Sequence, residues 1–227
     1  MQKKHVLLFA LLAFTVFASV DEHAAPGVGK VVIVKGSAIR QAADGTRVAL
    51  ERGDRLFERD RVTTAADSMV LLRFDDDTRF NLGPRAEFRV DQVRDDDEGI
   101  FSAEVIRGAF RFITGLIAKK RSGAMRVRTG VVATIGIRGT TVGGEVVGES
   151  ATIVLLESEE PGTSSAIEVG NDFGSVIIDQ PGYGTQVPDA HSPPSPPQRM
   201  TLRAIDNLVR NINNIQRNAA PRPMIHR

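Results

Sequence analysis

Cysteine is absent from this chain of 227 residues. That absence excludes disulfide staples, thiolate catalysis, cysteine-ligated zinc and iron–sulfur clusters. Tryptophan is absent too, tyrosine occurs once, and aromatics make up 5% of the sequence. The interior must therefore be built from Val, Ile, Leu and Phe, and a sugar-stacking surface lacks its usual ring. Histidine is scarce, with only His5, His23, His191 and His226. None lies in the strand-rich stretch described below, so neither a Ser-His-Asp site nor a zinc site is expected there. Twenty-nine Lys and Arg face 28 Asp and Glu, which leaves no global field to draw the chain to nucleic acid.

What is present is ordinary for a folded domain: 41% hydrophobic and 25% charged residues. The amino terminus stands apart. Lys3 and Lys4 precede an apolar run from Val6 to Phe17 that ends in Ala18. This order predicts a signal peptide over residues 1–18, cleaved after Ala18, with an uncleaved anchor as the alternative. The run is short for a membrane span, which takes about 20 residues. Without a following cysteine it is not a lipoprotein signal. The expected location is the periplasm or the outside of the cell.

From residue 29 to 187 the chain reads as strand, turn, strand. Val31 to Val34, Met69 to Phe74, Arg79 to Leu82, Ala86 to Val93, Phe101 to Ile113 and Ala151 to Leu156 are β-branched or alternating runs. Asp44-Gly45, Gly53-Asp54, Gly83-Pro84 and the acidic groups Asp75 to Asp77 and Asp95 to Glu98 separate them. Gly108 interrupts an alternating run and marks a bulge or a close backbone approach. The turn spacing predicts an all-β fold: a two-layer sandwich, jelly roll or β-roll of many short strands. Without intervening amphipathic helices, a parallel βαβ sheet is not expected. Residues 119–123 read as a basic loop.

Residues 188–198 form a Pro/Ser-rich linker, read as an extended spacer. A single α-helix is predicted over 199–218. Leu202, Ile205, Leu208, Val209, Ile212 and Ile215 fall on one stripe, with Arg203 and Arg210 off it and Thr201 as N-cap. Residues 219–227 read as a disordered tail. The stripe can dock on the β domain, pair with another protein or lie on a membrane surface.

The acidic turns can be read as hard oxygen ligands for calcium or as solvated turns whose Asp side chains bond their own backbone; the spacing favours the turns. The segment Gly136-Ile137-Arg138-Gly139-Thr140 lacks the pattern of a phosphate loop. Arg138 can be a guanidinium that binds a partner carboxylate or one that satisfies turn carbonyls.

Several pieces together resemble the FecR domain family. They are Gly36 to Ala38, Asp44-Gly45, Leu50 with Gly53-Asp54, Asp60 to Thr64, Ser68 with Val70 to Phe74, Asp77-Thr78 and Leu82 to Pro84. Phe110 to Gly115, Val127 to Thr129 and Ala133 to Thr140 follow. The likeness covers about Val31 to Gly144. It implies an all-β extracytoplasmic domain. In iron-dicitrate-type regulators such a domain relays the state of an outer-membrane transporter to a sigma factor. Those regulators carry a cytoplasmic anti-sigma segment and a membrane span, where this chain shows a signal peptide. The family implies no catalytic residues.

The sequence thus points to an exported, non-enzymatic binding or scaffold protein of the cell envelope, in sensing or signal relay. No cofactor or nucleic acid is expected. Envelope proteins are the expected partners, met through the carboxy-terminal helix, with peripheral membrane contact. Arg138, Thr140, Leu202, Ile205, Val209 and Ile212 are the candidate binding residues. The alternative is a periplasmic ligand-binding module for polysaccharide or a metal-chelate, using the face near Arg138.

Overall fold

The structure is a computed structural model that describes residues 26–120, 123–130, 133–138, 140–157 and 165–201, with 203, 206 and 210. Seventeen strands and one short helix occur among them. They are β1 (Gly29–Lys35), β2 (Ala38–Gln41), β3 (Arg47–Ala49), β4 (Arg55–Leu56), β5 (Arg61–Thr64), β6 (Met69–Phe74), β7 (Arg79–Leu82), β8 (Glu87–Arg94) and β9 (Ile100–Ile113). After α1 (Ile117–Lys120) come β10 (Met125–Thr129), β11 (Ala133–Arg138), β12 (Thr141–Val147), β13 (Ser150–Leu156), β14 (Ala166–Asn171), β15 (Gly174–Ile178), β16 (Tyr183–Val187) and β17 (Gln198–Arg199).

Alternation decides which side each residue takes. Val70, Leu72, Phe74, Phe80 and Leu82 from one layer meet Val62, Phe88, Val90, Phe101 and Ala103 from the other in a single buried core. Without tryptophan, the phenylalanines make the large contacts between layers. Ring centroids of Phe74 and Phe101 lie 4.9 Å apart edge-on and those of Phe80 and Phe88 4.8 Å apart across the layers, while Phe80 and Phe112 stack 5.0 Å apart on neighbouring strands of one layer.

The strand pairings define two sheets that share one strand. In sheet A the order is β4-β1-β6-β7-β9-β12-β13-β16-β17. In sheet B it is β3-β2-β5-β8-β9-β10-β11-β14-β15. Strand β9 runs in sheet B up to Arg107 and in sheet A from Gly108. In both sheets, strands that precede β9 in sequence lie on one side of it and strands that follow lie on the other. The transfer happens at Gly108, which takes φ of +91°. A Cβ there would sit 2.6 Å from Ala86 Cα. The register of β8 against β9 shifts at the neighbouring pair, between Glu87 and Phe88. The interruption in the alternating run is therefore both a bulge and a close backbone approach.

Two local readings change. Residues 119–123 are not all loop, because Lys119 and Lys120 close α1. A four-residue helix is too short to show an apolar period. It serves as the crossover between β9 and β10, which pair in parallel, the one such pair among the described strands. The Pro/Ser segment is not a free spacer. Ser195 N–H donates to Gln186 O at 2.9 Å, Thr185 Oγ1–H to Ser195 O at 2.6 Å, and Asn171 Nδ2–H to Ser192 O at 2.8 Å. Serines between the prolines supply the donors and acceptors that tie it to β16 and to the end of β14, and it ends in β17. At the carboxy terminus, Arg203, Asp206 and Arg210 have helical backbone and are exposed. Leu202, Ile205, Val209 and Ile212 lie outside the described residues, as do residues 1–18 and 219–227.

Replacing Gly108 tests the shared strand. A side chain there must adopt a left-handed backbone and displace Ala86. Gly108→Val is expected to lower unfolding free energy by at least about 1–3 kcal/mol, the usual cost of a strained residue, read by urea denaturation.

Candidate interaction surface

Outward residues of sheet B come from the polar half of each alternating run. Arg89 and Asp91 on β8, Ser102 and Glu104 on β9, and Arg126 and Arg128 on β10 face away from Phe88, Val90, Phe101, Ala103, Met125 and Val127. Register sets Glu104 opposite both Arg89 and Arg128. The result is a four-charge network: Arg89–Glu104 at 2.7 Å, Arg89–Asp91 and Arg128–Asp91 at 2.8 Å, and Arg128–Glu104 at 3.2 Å. The bond to Asp91, aided by attraction from Glu104, holds the Arg128 guanidinium above its ordinary pKa. These charges neutralise one another.

The next row behaves differently. Ser102, Arg126, Gly136, Glu168 and Ile177 lie opposite one another across β9, β10, β11, β14 and β15. Gly136 leaves a gap between a cation and an anion set two strands apart, about 10 Å. Neither Arg126 nor Glu168 makes an ion pair among the described residues. A trough of about 560 Å³ opens there, lined by Arg126, Gly136, Glu168, Gly170, Asn171 and Ser175 among others. A smaller hollow of about 290 Å³ reaches from Arg126 to Ile100, Phe101 and Gly123. Ile177 stands 67% exposed beside the trough, on the edge strand of the sheet.

The sequence-predicted residues Arg138 and Thr140 fall on different sheets. Arg138 closes β11 in sheet B, where its backbone pairs with Ala166. Thr140 leads into β12 in sheet A and is 3% exposed. Its N–H donates to Thr114 Oγ1 at 2.8 Å, and its carbonyl accepts from Thr114 N–H at 3.0 Å. The glycine-flanked arginine string is thus the corner where the chain changes layers. Arg126 and Glu168 were not singled out beforehand. The parity of Met125 to Thr129 puts Arg126 on a solvent face, but nothing local marks Glu168 as its counterpart.

The acidic turns are occupied by structural bonds. Asp75 pairs with Arg55 at 3.0 Å and Asp77 with Arg73 at 2.5 Å. Asp76 is buried between them. It accepts from Thr78 N–H at 3.0 Å, Thr78 Oγ1–H at 2.8 Å and Ile117 N–H at 3.4 Å. Its carbonyl takes Leu116 N–H at 2.7 Å. Gly115 is needed beside it, since a Cβ there would lie 2.1 Å from that carbonyl. Asp95 pairs with Lys120 at 2.8 Å, and Asp96 and Glu98 pair with Arg94. Among the described residues, no three His, Asp or Glu side chains gather as metal ligands.

The buried Asp60 ties the start of β5 to its surroundings: its carboxylate accepts from Phe57 N–H at 2.8 Å and from Arg40 at 3.2 Å. From this residue the chain matches a family model described as FecR protein, over residues 60–159. This stretch is similar to a FecR domain. It opens on β5 and carries through β13, so it includes the shared strand, the crossover and the layer-changing corner. Two crystal structures of a proposed anti-sigma factor from Parabacteroides distasonis ATCC 8503 share its fold. Each is 12% identical with a TM-score of 0.52; they cover 66% and 70% of this chain and 64% and 71% of their own. A cell surface anchoring domain is 25% identical over 28% of this chain and 83% of its own, with a TM-score of 0.27. No curated protein matches the chain.

Asp76 links the matched stretch's core to the crossover, and its protonation gives a test. Burial pushes its carboxyl above the ordinary value of 3.8, against the pull of the Thr78 and Ile117 bonds. A raised folded-state pKa adds stability that is full below the unfolded value and is lost as pH rises through the folded one. Asp76→Asn keeps one acceptor but loses the other, at a cost of about 1–3 kcal/mol. The deficit against wild type should be largest near pH 4 and narrow toward neutrality, read by denaturation across that range.

Proposed function

We propose that this chain is a non-enzymatic envelope protein that binds another protein in sensing or signal relay, exported by residues 1–18. The FecR match supports the sensing role and an envelope partner. The observation that carries the binding role is the Arg126–Gly136–Glu168 row. It places a cation and an anion, neither in a salt bridge among the described residues, on either side of a floor without side chains. Such a floor admits a segment of partner backbone, and the two charges fix its direction through complementary acid and base side chains. The adjacent Arg89–Asp91–Glu104–Arg128 network is self-neutralised, so those neighbours do not cancel the field at this row.

A second reading draws on the same trough: a ligand-binding module for polysaccharide or a metal-chelate, seated on the strand that ends in Arg138. Its volume falls in the range of small-ligand sites, though its charged lining differs from their mostly apolar walls.

Photo-crosslinkers placed at Ser175 and Ile177 of the full chain should capture an envelope protein in cells. Arg126→Glu and Glu168→Lys should each cut capture about tenfold while leaving the β-sheet circular dichroism unchanged. Capture indifferent to both reversals would count against the trough. A melting temperature raised by soluble glycans or chelated iron, and lost in the same variants, would select the second reading.

A further inference from the structure

Part of the outer face of sheet A is buried although it lies away from the core. Alternation sends Val70, Leu72 and Phe74 inward on β6, and Ile153 and Leu155 inward on β13. Met69, Leu71 and Val154 therefore point outward, yet they are 3%, 5% and 2% exposed. Asn81 on β7 faces the same way, is 2% exposed, and its Oδ1 accepts no hydrogen bond among the described residues. Register aligns these positions. Ile33, Leu71, Asn81, Arg111, Gly143, Val154 and Gly184 lie opposite one another across β1, β6, β7, β9, β12, β13 and β16. Gly143 and Gly184 deepen this row into a groove.

The carboxy-terminal segment starts at its end. β17 pairs with β16, and a Cβ on Gly184 would meet Met200 Sδ at 3.1 Å and Val154 Cγ2 at 2.9 Å. Beyond Met200, the exposed helical residues Arg203, Asp206 and Arg210 are spaced three and four apart, which puts them on one side of a helix. In the sequence, the apolar stripe of Leu202, Ile205, Val209 and Ile212 is offset from these three positions. Dimensions agree as well: six strand spacings from β16 to β1 span about 29 Å, and residues 201–217 as a helix span about 26 Å.

We propose that residues 201–217 lie as a helix across the outer face of sheet A, from β16 toward β1, and cover the Val154–Asn81–Leu71 row as a third layer. The helix is then the chain's own cover for this face, and partner binding falls to sheet B. This assignment stands apart from the reading of the trough, since it concerns the opposite sheet.

The cysteine-free background makes the test direct. In the full chain, Val154→Cys with Ile205→Cys, and Leu71→Cys with Ile215→Cys, should each form an intramolecular bridge on oxidation or with a short bismaleimide. The swapped pair, Val154→Cys with Ile215→Cys, should not. A bridge between two chains would assign the row to a second copy and overturn the proposal, as would equal bridging of matched and swapped pairs or no bridging in either matched pair. A second readout avoids dependence on bridging geometry. Ile205→Asp with Val209→Asp should raise the labelling rate of a single Leu71→Cys thiol at least tenfold without loss of sheet signal. An unchanged rate would overturn it equally.

Discussion

Everything in this fold depends on the passage of β9 from one sheet to the other. A fourteen-residue strand cannot stay in a single flat layer and also hydrogen-bond four neighbours in two layers. Gly108 resolves this by turning the backbone through a left-handed conformation against Ala86, where no other residue fits. The turn sets Phe101 and Phe110, which belong to the same strand, at opposite ends of one phenylalanine core. Both sheets are then keyed to each other covalently, so their relative position does not rest on side-chain packing alone.

A second passage occurs at Arg138 to Thr140. There the chain leaves β11 in sheet B and enters β12 in sheet A, latched by paired bonds between Thr140 and Thr114. Thr114 follows directly on β9, so the second passage is built on the first. The FecR match covers both. The outer faces that result differ in character. Sheet B presents a self-neutralised four-charge network beside a glycine-floored row, whereas sheet A presents a buried row of Leu71, Asn81 and Val154.

Much of this was legible in the residues. Alternation in Phe101 to Ile113 and in Met125 to Thr129 gave strands and their faces, and Gly108 announced its own conformation. The pieces that resemble FecR domains combine strands such as Val70 to Phe74 with turns such as Gly53-Asp54, where residue type is dictated by backbone geometry. Other features were hidden because they depend on pairing. Arg126 and Glu168 are 42 residues apart and meet only through Gly136, whose strand lies between theirs. The four-residue α1 has no period of its own; it is held by Asp76 from a distant turn. Arg138 stood out as a lone charge in an apolar string, and its backbone closes β11 at the corner between layers.

The placement of early strands on one flank of β9 and late strands on the other has a mechanical consequence. β17 forms one border of sheet A, and β1 lies one strand in from the opposite border. Tension applied through the two ends of the β domain therefore acts crosswise to the strands. It opens hydrogen bonds one after another, as a zipper does, instead of loading a whole ladder at once. The periphery yields first under such a pull and the central strand last, so the domain gives way by graded peeling from its margins.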